Sequence, residues 1–142
     1  MASMHPFRSD WSDRRAPALD VFQAIASEVL ANMPDEFLAM CGNIEIRMTE
    51  YAQDEMLDSL GIEDPNDLLG LFQGRGLAQG AAELHTGQMP NRIWLFRRPI
   101  LDYWAAGEDT LGEVVAHVLI HEIGHHFGLS DDDMEQIEAA AD

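Results

Sequence analysis

Two histidines and one glutamate stand close together near residue 121, where the segment from His121 to His125 reads His-Glu-Ile-Gly-His. If this segment is helical, side chains four residues apart lie on the same face, one turn above the other. The two imidazoles could then converge on one zinc ion at about 2.0–2.1 Å. Glu122 is rotated by roughly 100° from His121, so it flanks such an ion and can serve as general base towards a water molecule.

A catalytic zinc site needs a third protein ligand beside an open position. Gly128 can adopt a positive φ angle without steric cost, which lets the chain turn back after the histidines. Three residues later Asp131 offers a carboxylate oxygen, and we predict it as the third ligand of one Zn2+ per chain. The spacing favours less strongly four alternative third ligands, which are Asp132, Asp133, Glu135 and Glu138.

Two further histidines are adjacent to this pattern. His117 extends the stripe, but it lies about 12 Å along the helix axis from His125, so one zinc ion cannot bind both. A pair of His117 and His121 is possible, although Val118 then occupies the place of the base. We interpret His117 as a residue that lines the cleft or packs in the core, and His126 as structural or solvent-facing.

The element that must carry the histidines is a long helix over residues 111–127, because Thr110 and Glu113 have capping-box spacing and apolar residues follow at helical intervals. Residues 17–31 predict a second helix, and Ser130 can cap a short final one. Candidate strands are Ile44–Met48, Leu68–Phe72 and Arg92–Phe96, with a loop or hairpin at Gln79–Pro90, Pro99 closing the last strand, and a short helix at Ile100–Ala106. These elements predict a single α+β domain with a mixed sheet of three or four strands.

The composition is strongly acidic, with 26 Asp and Glu against 8 Lys and Arg and a formal net charge of -18. Such a surface repels phosphates, so we expect binding neither to nucleic acid nor to anionic membranes. The single cysteine, Cys41, excludes an intramolecular disulfide and is expected to be buried and structural. Residues 1–16 lack the apolar core of a secretory signal and are interpreted as a flexible tail, which leaves residues 17–142 as the domain and predicts a cytoplasmic location.

The chain resembles the small bacterial minimal zincins, which are metallopeptidase-like proteins with a metzincin-type motif H-E-x-x-H-x-x-G-x-x-D. The resemblance spans roughly residues 18–135 and rests on Met33–Phe37, Leu69–Gly74, Ile93–Arg97 and, above all, His121–Asp133. It implies a small sheet packed on the zinc-bearing helix. It also implies His121, His125 and Asp131 as zinc ligands and Glu122 as the catalytic acid and base.

We therefore expect a zinc-dependent hydrolase, and specifically a metallopeptidase that acts on peptides or proteins. An edge strand, either Leu68–Gln73 or Arg92–Phe96, could pair with an extended substrate, and Tyr103 or Arg97 could stabilise the oxyanion. The sequence departs from full-sized metzincins because Met134 is too close to Asp131 to form their Met-turn. Three alternatives stay open: a non-catalytic metal-stabilised binding or structural protein, a non-haem iron enzyme, and two metal-free core histidines. The sequence does not indicate an oligomeric state.

Overall fold

A computed structural model describes residues 10–74 and 91–141 of the 142-residue chain. The loop or hairpin that we expect at Gln79–Pro90 lies outside the described residues. The first nine residues of the predicted N-terminal tail lie outside them as well.

The described elements follow one another in an α+β order. Their bounds, in chain order, are α1 (Leu19–Ala31), α2 (Asp35–Cys41), β1 (Ile44–Thr49), α3 (Asp54–Leu60), a 3-10 turn (Pro65–Asp67), β2 (Gly70–Gln73), β3 (Asn91–Phe96), α4 (Arg97–Ala106), α5 (Leu111–His126) and α6 (Asp131–Ala141). The α+β class and the mixed sheet are thus confirmed, with three strands within residues 10–74 and 91–141. No helix in this part of the chain has both the length and the apolar character that crossing a membrane requires.

The sheet has the strand order β1-β3-β2, so the last strand in the sequence is the central one. β1 runs parallel to β3, with Ile46 opposite Ile93, and β2 runs antiparallel to it, with Leu71 opposite Trp94. The expectation that Arg92–Phe96 could be an edge strand is therefore wrong. Of the two candidate edges, the segment containing β2 lies at an edge of the sheet that the described residues form.

From Ile93 to Phe96 the sequence of β3 is an unbroken apolar run, because apolar groups cover both faces of this part of the strand. Ile93 and Leu95 point into the main core, while Phe96 belongs to a second cluster with Leu57, against which Trp94 packs. The sheet is therefore a middle layer: α1 and α5 lie on one side of it, and α3 with the following turn lies on the other.

The helix α5 passes through the main core. Val115, Leu119, Ile120 and Ile123 are all fully or almost fully buried. At its start the Glu113 amide donates to Thr110 Oγ1 at 3.1 Å, and the Thr110 amide donates to Glu113 Oε1 at 2.9 Å. The predicted capping box is therefore present, and it fixes where the histidine-bearing helix begins.

The helix after β3 begins earlier than expected. We predicted Pro99 as the end of a strand and Ile100 as the start of a helix, but α4 begins at Arg97 immediately after Phe96. Pro99 lies in the first turn, where the missing amide hydrogen costs nothing because amides there have no partner within the helix.

Candidate metal centre

The chain reverses direction at the end of α5 through a glycine. Gly128 has φ of 76° and its amide donates to the His125 carbonyl at 3.2 Å. The Leu129 amide donates to the Gly124 carbonyl at 2.9 Å, which completes a Schellman motif. The reversal predicted at Gly128 is therefore present, and it lets α6 run back along α5.

A second capping box starts α6. The Asp133 amide donates to Ser130 Oγ at 3.1 Å, and the Ser130 amide donates to Asp133 Oδ2 at 3.3 Å. One oxygen of the Asp133 carboxylate therefore accepts a hydrogen bond from the backbone at the start of the helix. Asp131 is exposed in the first turn of the same helix.

The two helices touch at Gly124 and Met134. A Cβ atom built on Gly124 would lie 2.5 Å from Met134 Sδ and 2.9 Å from Met134 Cγ. Met134 is completely buried at this contact. The absence of a side chain at residue 124 therefore allows α6 to pack directly on α5, beside the turn that carries the histidines.

Three histidines form a stripe along α5, as the spacing predicts. The ring centroids of His117 and His121 are 3.9 Å apart, and those of His121 and His125 are 5.7 Å apart. His117 and His125 are exposed, whereas His121 between them is partly buried. The middle histidine is therefore within reach of ions that bind at either end of the stripe.

A glutamate on α6 contacts two of these histidines. Glu138 Oε1 lies 3.0 Å from His117 Nδ1 and 2.9 Å from His121 Nε2. The potential ligand atoms of these three residues all lie within 4.8 Å of one another, and no other set of three or more His, Cys, Asp or Glu in residues 10–74 and 91–141 meets this criterion. The structure thus brings together His117, His121 and Glu138, and it leaves His125 and Asp131 outside that set.

The sequence also contains a pattern that points to Glu138, one of the less favoured alternatives for the third ligand. Glu138 follows Asp131 by seven residues, which is close to two helical turns, so both project from the same side of α6. A carboxylate at either position can therefore face the histidine stripe. The assignment of Asp131 as third ligand stays a prediction.

The donor set suits zinc. Imidazole nitrogens and a carboxylate oxygen are its common ligands, and tetrahedral ligation at 2.0–2.1 Å places neighbouring ligand atoms about 3.3 Å apart. The two distances to Glu138 Oε1, at 2.9 and 3.0 Å, are within a few tenths of an ångström of that spacing. Small side-chain rotations would therefore open a space for the ion.

The model of a family described as zincin-like metallopeptidase matches residues 41–141, which is well over half of the chain. The chain belongs to the zincin-like metallopeptidase family. No curated protein matches this zincin-like chain. Family membership supports zinc binding and a peptidase-like hydrolase that takes peptide or protein substrates.

Glu122 in this zincin-like protein is partly buried on the flank of the histidine stripe. Burial raises the pKa of its carboxyl group above the ordinary value, and the positive charge of His125 lowers it by a smaller amount. A carboxylate with a raised pKa is a stronger base, which is the property that proton abstraction from water needs.

His126 faces away from the stripe, towards β2. Its ring lies 4.1 Å from that of Phe72 and 5.2 Å from that of Phe127, measured between centroids. Its Nε2 atom is buried without a hydrogen-bond partner among the described residues. The structural alternative for His126 is therefore the correct one, since the ring packs against the sheet.

The two suggested oxyanion donors both lie on α4. Arg97 is already engaged: its Nε donates to the Pro17 carbonyl at 2.6 Å and its Nη1 pairs with Glu50 at 2.8 Å. Tyr103 is 51% exposed. Arg97 therefore holds the segment before α1 against the sheet, and the identity of the oxyanion donor stays a prediction.

Proposed function

We propose that this protein is a zinc-dependent peptidase in which His121, His125 and Asp131 hold the ion and Glu122 is the general base. The observation that carries the proposal is the reversal at Gly128. It follows the histidine pair directly and leads the exposed Asp131 into the first turn of the returning helix.

The ligand assignment is supported by the stripe and by exposure. His121 and His125 are one helical turn apart on one face of α5, and His125 and Asp131 are both exposed at the end where the chain turns. Neither side chain is buried in packing that an ion would have to disrupt. A rotation of both towards His121 would complete a site of two imidazoles and one carboxylate.

When bound, zinc would polarise the scissile carbonyl and favour ionisation of the attacking water. Glu122 accepts the proton of that water and delivers it to the leaving amine. Its partly buried position suits this role, because burial makes the carboxylate more basic. The same side chain thus acts first as base and then as acid.

The substrate would align along β2. This strand pairs with β3 on one side, and its face packs against α5, the helix that carries the histidines. An extended peptide could add to the sheet along the other side of β2. Main-chain hydrogen bonds of this kind bind peptides of many sequences, so we expect broad specificity.

Replacing Glu122 with Gln separates catalysis from metal binding. We expect the variant to keep one zinc per chain and to lose hydrolysis of a peptide library by about 10²–10⁴-fold, the usual contribution of a general base. Glu108→Gln, at an exposed position before α5, is the matched control for the change in charge. Wild-type protein that contains zinc but cleaves no peptide in the library would refute the proposal.

One observation favours a second candidate function. The group His117, His121 and Glu138 joins α5 to α6, and Glu122 is not a member of it. An ion held there would fasten the last helix and stabilise a non-catalytic binding or structural protein. A chelator would lower the melting temperature of such a protein, and the protein would hydrolyse no peptide with or without metal.

A further inference from the structure

We propose that His117, His121 and Glu138 form a second ligand set for a divalent transition-metal ion, which overlaps the first set through His121. The binding claim does not rest on the peptidase proposal. It rests on three side chains from two helices whose ligand atoms already lie within 4.8 Å of one another.

A carboxylate oxygen of Glu138 lies at the place on which the nitrogens of two imidazoles converge. One oxygen, Oε1, faces His117 Nδ1 at 3.0 Å and His121 Nε2 at 2.9 Å. Both nitrogens therefore already point to a common place. Two histidines and one carboxylate are a complete protein ligand set for zinc, and they leave a fourth position open to water.

The cluster is also accessible to ions. The side chains of His117, Glu138 and His121 are 49%, 31% and 22% exposed, so an ion can reach them from solvent without unfolding either helix. The formal charge of -18 raises the concentration of cations near the surface. Access and charge therefore both favour binding.

The two ligand sets exclude each other. His117 and His125 are about 12 Å apart along α5, so one ion cannot bind both, and each complete set requires His121. The chain should therefore hold one ion in either of two positions. An ion bound to His117 has the buried Val118 in the place that Glu122 takes beside His121. If the proposed function holds, the ion in this second position is catalytically silent.

Cobalt binding to a variant that lacks the first set tests the claim without measuring activity. In His125→Ala/Asp131→Ala both substitutions are at exposed positions, so we expect the fold to survive, with an unchanged far-UV circular dichroism spectrum. This variant should bind one Co2+ per chain in equilibrium dialysis, with visible absorption of a cobalt–imidazole site. The single variant His125→Ala gives the same test if the double variant does not fold.

Adding Glu138→Gln to that background removes one ligand. Loss of a residue that only hydrogen-bonds to a metal ligand costs roughly 10–100-fold in affinity. Loss of a ligand itself should therefore lower the affinity for Co2+ by at least that much. Glu108→Gln in the same background is the matched control, because it makes the same charge change at an exposed position outside the cluster. The proposal is overturned if His125→Ala/Asp131→Ala binds no more Co2+ than His121→Ala. It is also overturned if Glu108→Gln weakens binding as much as Glu138→Gln.

Discussion

Met134 fills the space above Gly124, so closely that a Cβ atom at residue 124 would lie 2.5 Å from its sulfur. This contact sets the distance between the helix that carries the histidines and the helix that carries the carboxylates. Met134 comes too soon after Asp131 to build the Met-turn of larger metzincins. It nevertheless packs directly against the turn of α5 that contains Gly124. The separation of α5 and α6 therefore depends on a pair of residues that are not among the candidate ligands.

Gly124→Ala should destabilise the protein. Alanine gains about 1 kcal/mol of helix propensity over glycine, but overpacking against Met134 costs about 1–3 kcal/mol, because Cγ as well as Sδ must move. We expect a lower midpoint in urea unfolding of the metal-free protein and weaker zinc binding. Gly112→Ala in the same helix is the control, since its Cβ would meet only Thr110 Oγ1 at 4.0 Å, and it should leave stability equal or higher. Equal effects of the two substitutions would contradict this account.

Glu122 should make the metal-free protein less stable as the pH rises. Burial raises its folded-state pKa above the ordinary value of 4.5, so its contribution is most favourable below pH 4.5 and is lost as the pH rises through the folded pKa. In the presence of chelator, Glu122→Gln should therefore be more stable than wild type at pH 7, and the difference should close at pH 4. Urea midpoints at both pH values measure this. A difference that is the same at both would show that the carboxyl is not perturbed.

The capping box of α5 should stabilise the fold with the opposite dependence on pH. The pKa of Glu113 is lowered because its carboxylate accepts a hydrogen bond from the Thr110 amide, so this stability is present above pH 4.5 and is lost as the pH falls through the folded pKa. Thr110→Ala should cost about 1 kcal/mol at pH 7. Glu113→Gln should flatten the acid limb of the stability curve, which thermal melts between pH 3 and 7 can follow. An unchanged acid limb in Glu113→Gln would exclude this role.

Cys41 should be inert in the folded protein. The side chain is fully buried at the end of α2, and burial raises the pKa of its thiol to about 11. A thiol reagent at pH 8 should therefore label the native protein far more slowly than the protein in guanidinium chloride, because only the thiolate reacts. Comparable labelling rates in the two states would mean that α2 opens readily.

The sequence predicts where helices begin and end better than it predicts which strands lie side by side in the sheet. The capping box at Thr110, the helix cap at Ser130 and the glycine at residue 128 are local patterns with one physical solution, and all three occur as expected. The position of β3 at the centre of the sheet was not predictable, because strand order depends on which faces the helices cover. The start of α4 at Arg97 was also missed, because a proline is equally compatible with the end of a strand and with the first turn of a helix.

The same distinction applies to the candidate site. Helical spacing alone places His117, His121 and His125 on one stripe and Glu122 on its flank, so this half of the site could be read directly. The contact with Glu138 depends on how α6 lies along α5, and therefore on the fit of Met134 over Gly124. Spacing along one helix contains no information about that fit, which is why Glu138 ranked below Asp131.

Every candidate ligand discussed lies in the stretch from His117 to Glu138, which folds back on itself once. Closing so short a loop costs little chain entropy, and none of the ligands comes from a strand. If an ion binds here, we expect α5 and α6 to capture it before β1 pairs with β3, because that parallel pairing joins distant parts of the chain. Zinc would then hold α5 and α6 together early in folding and take part in catalysis once the protein is folded.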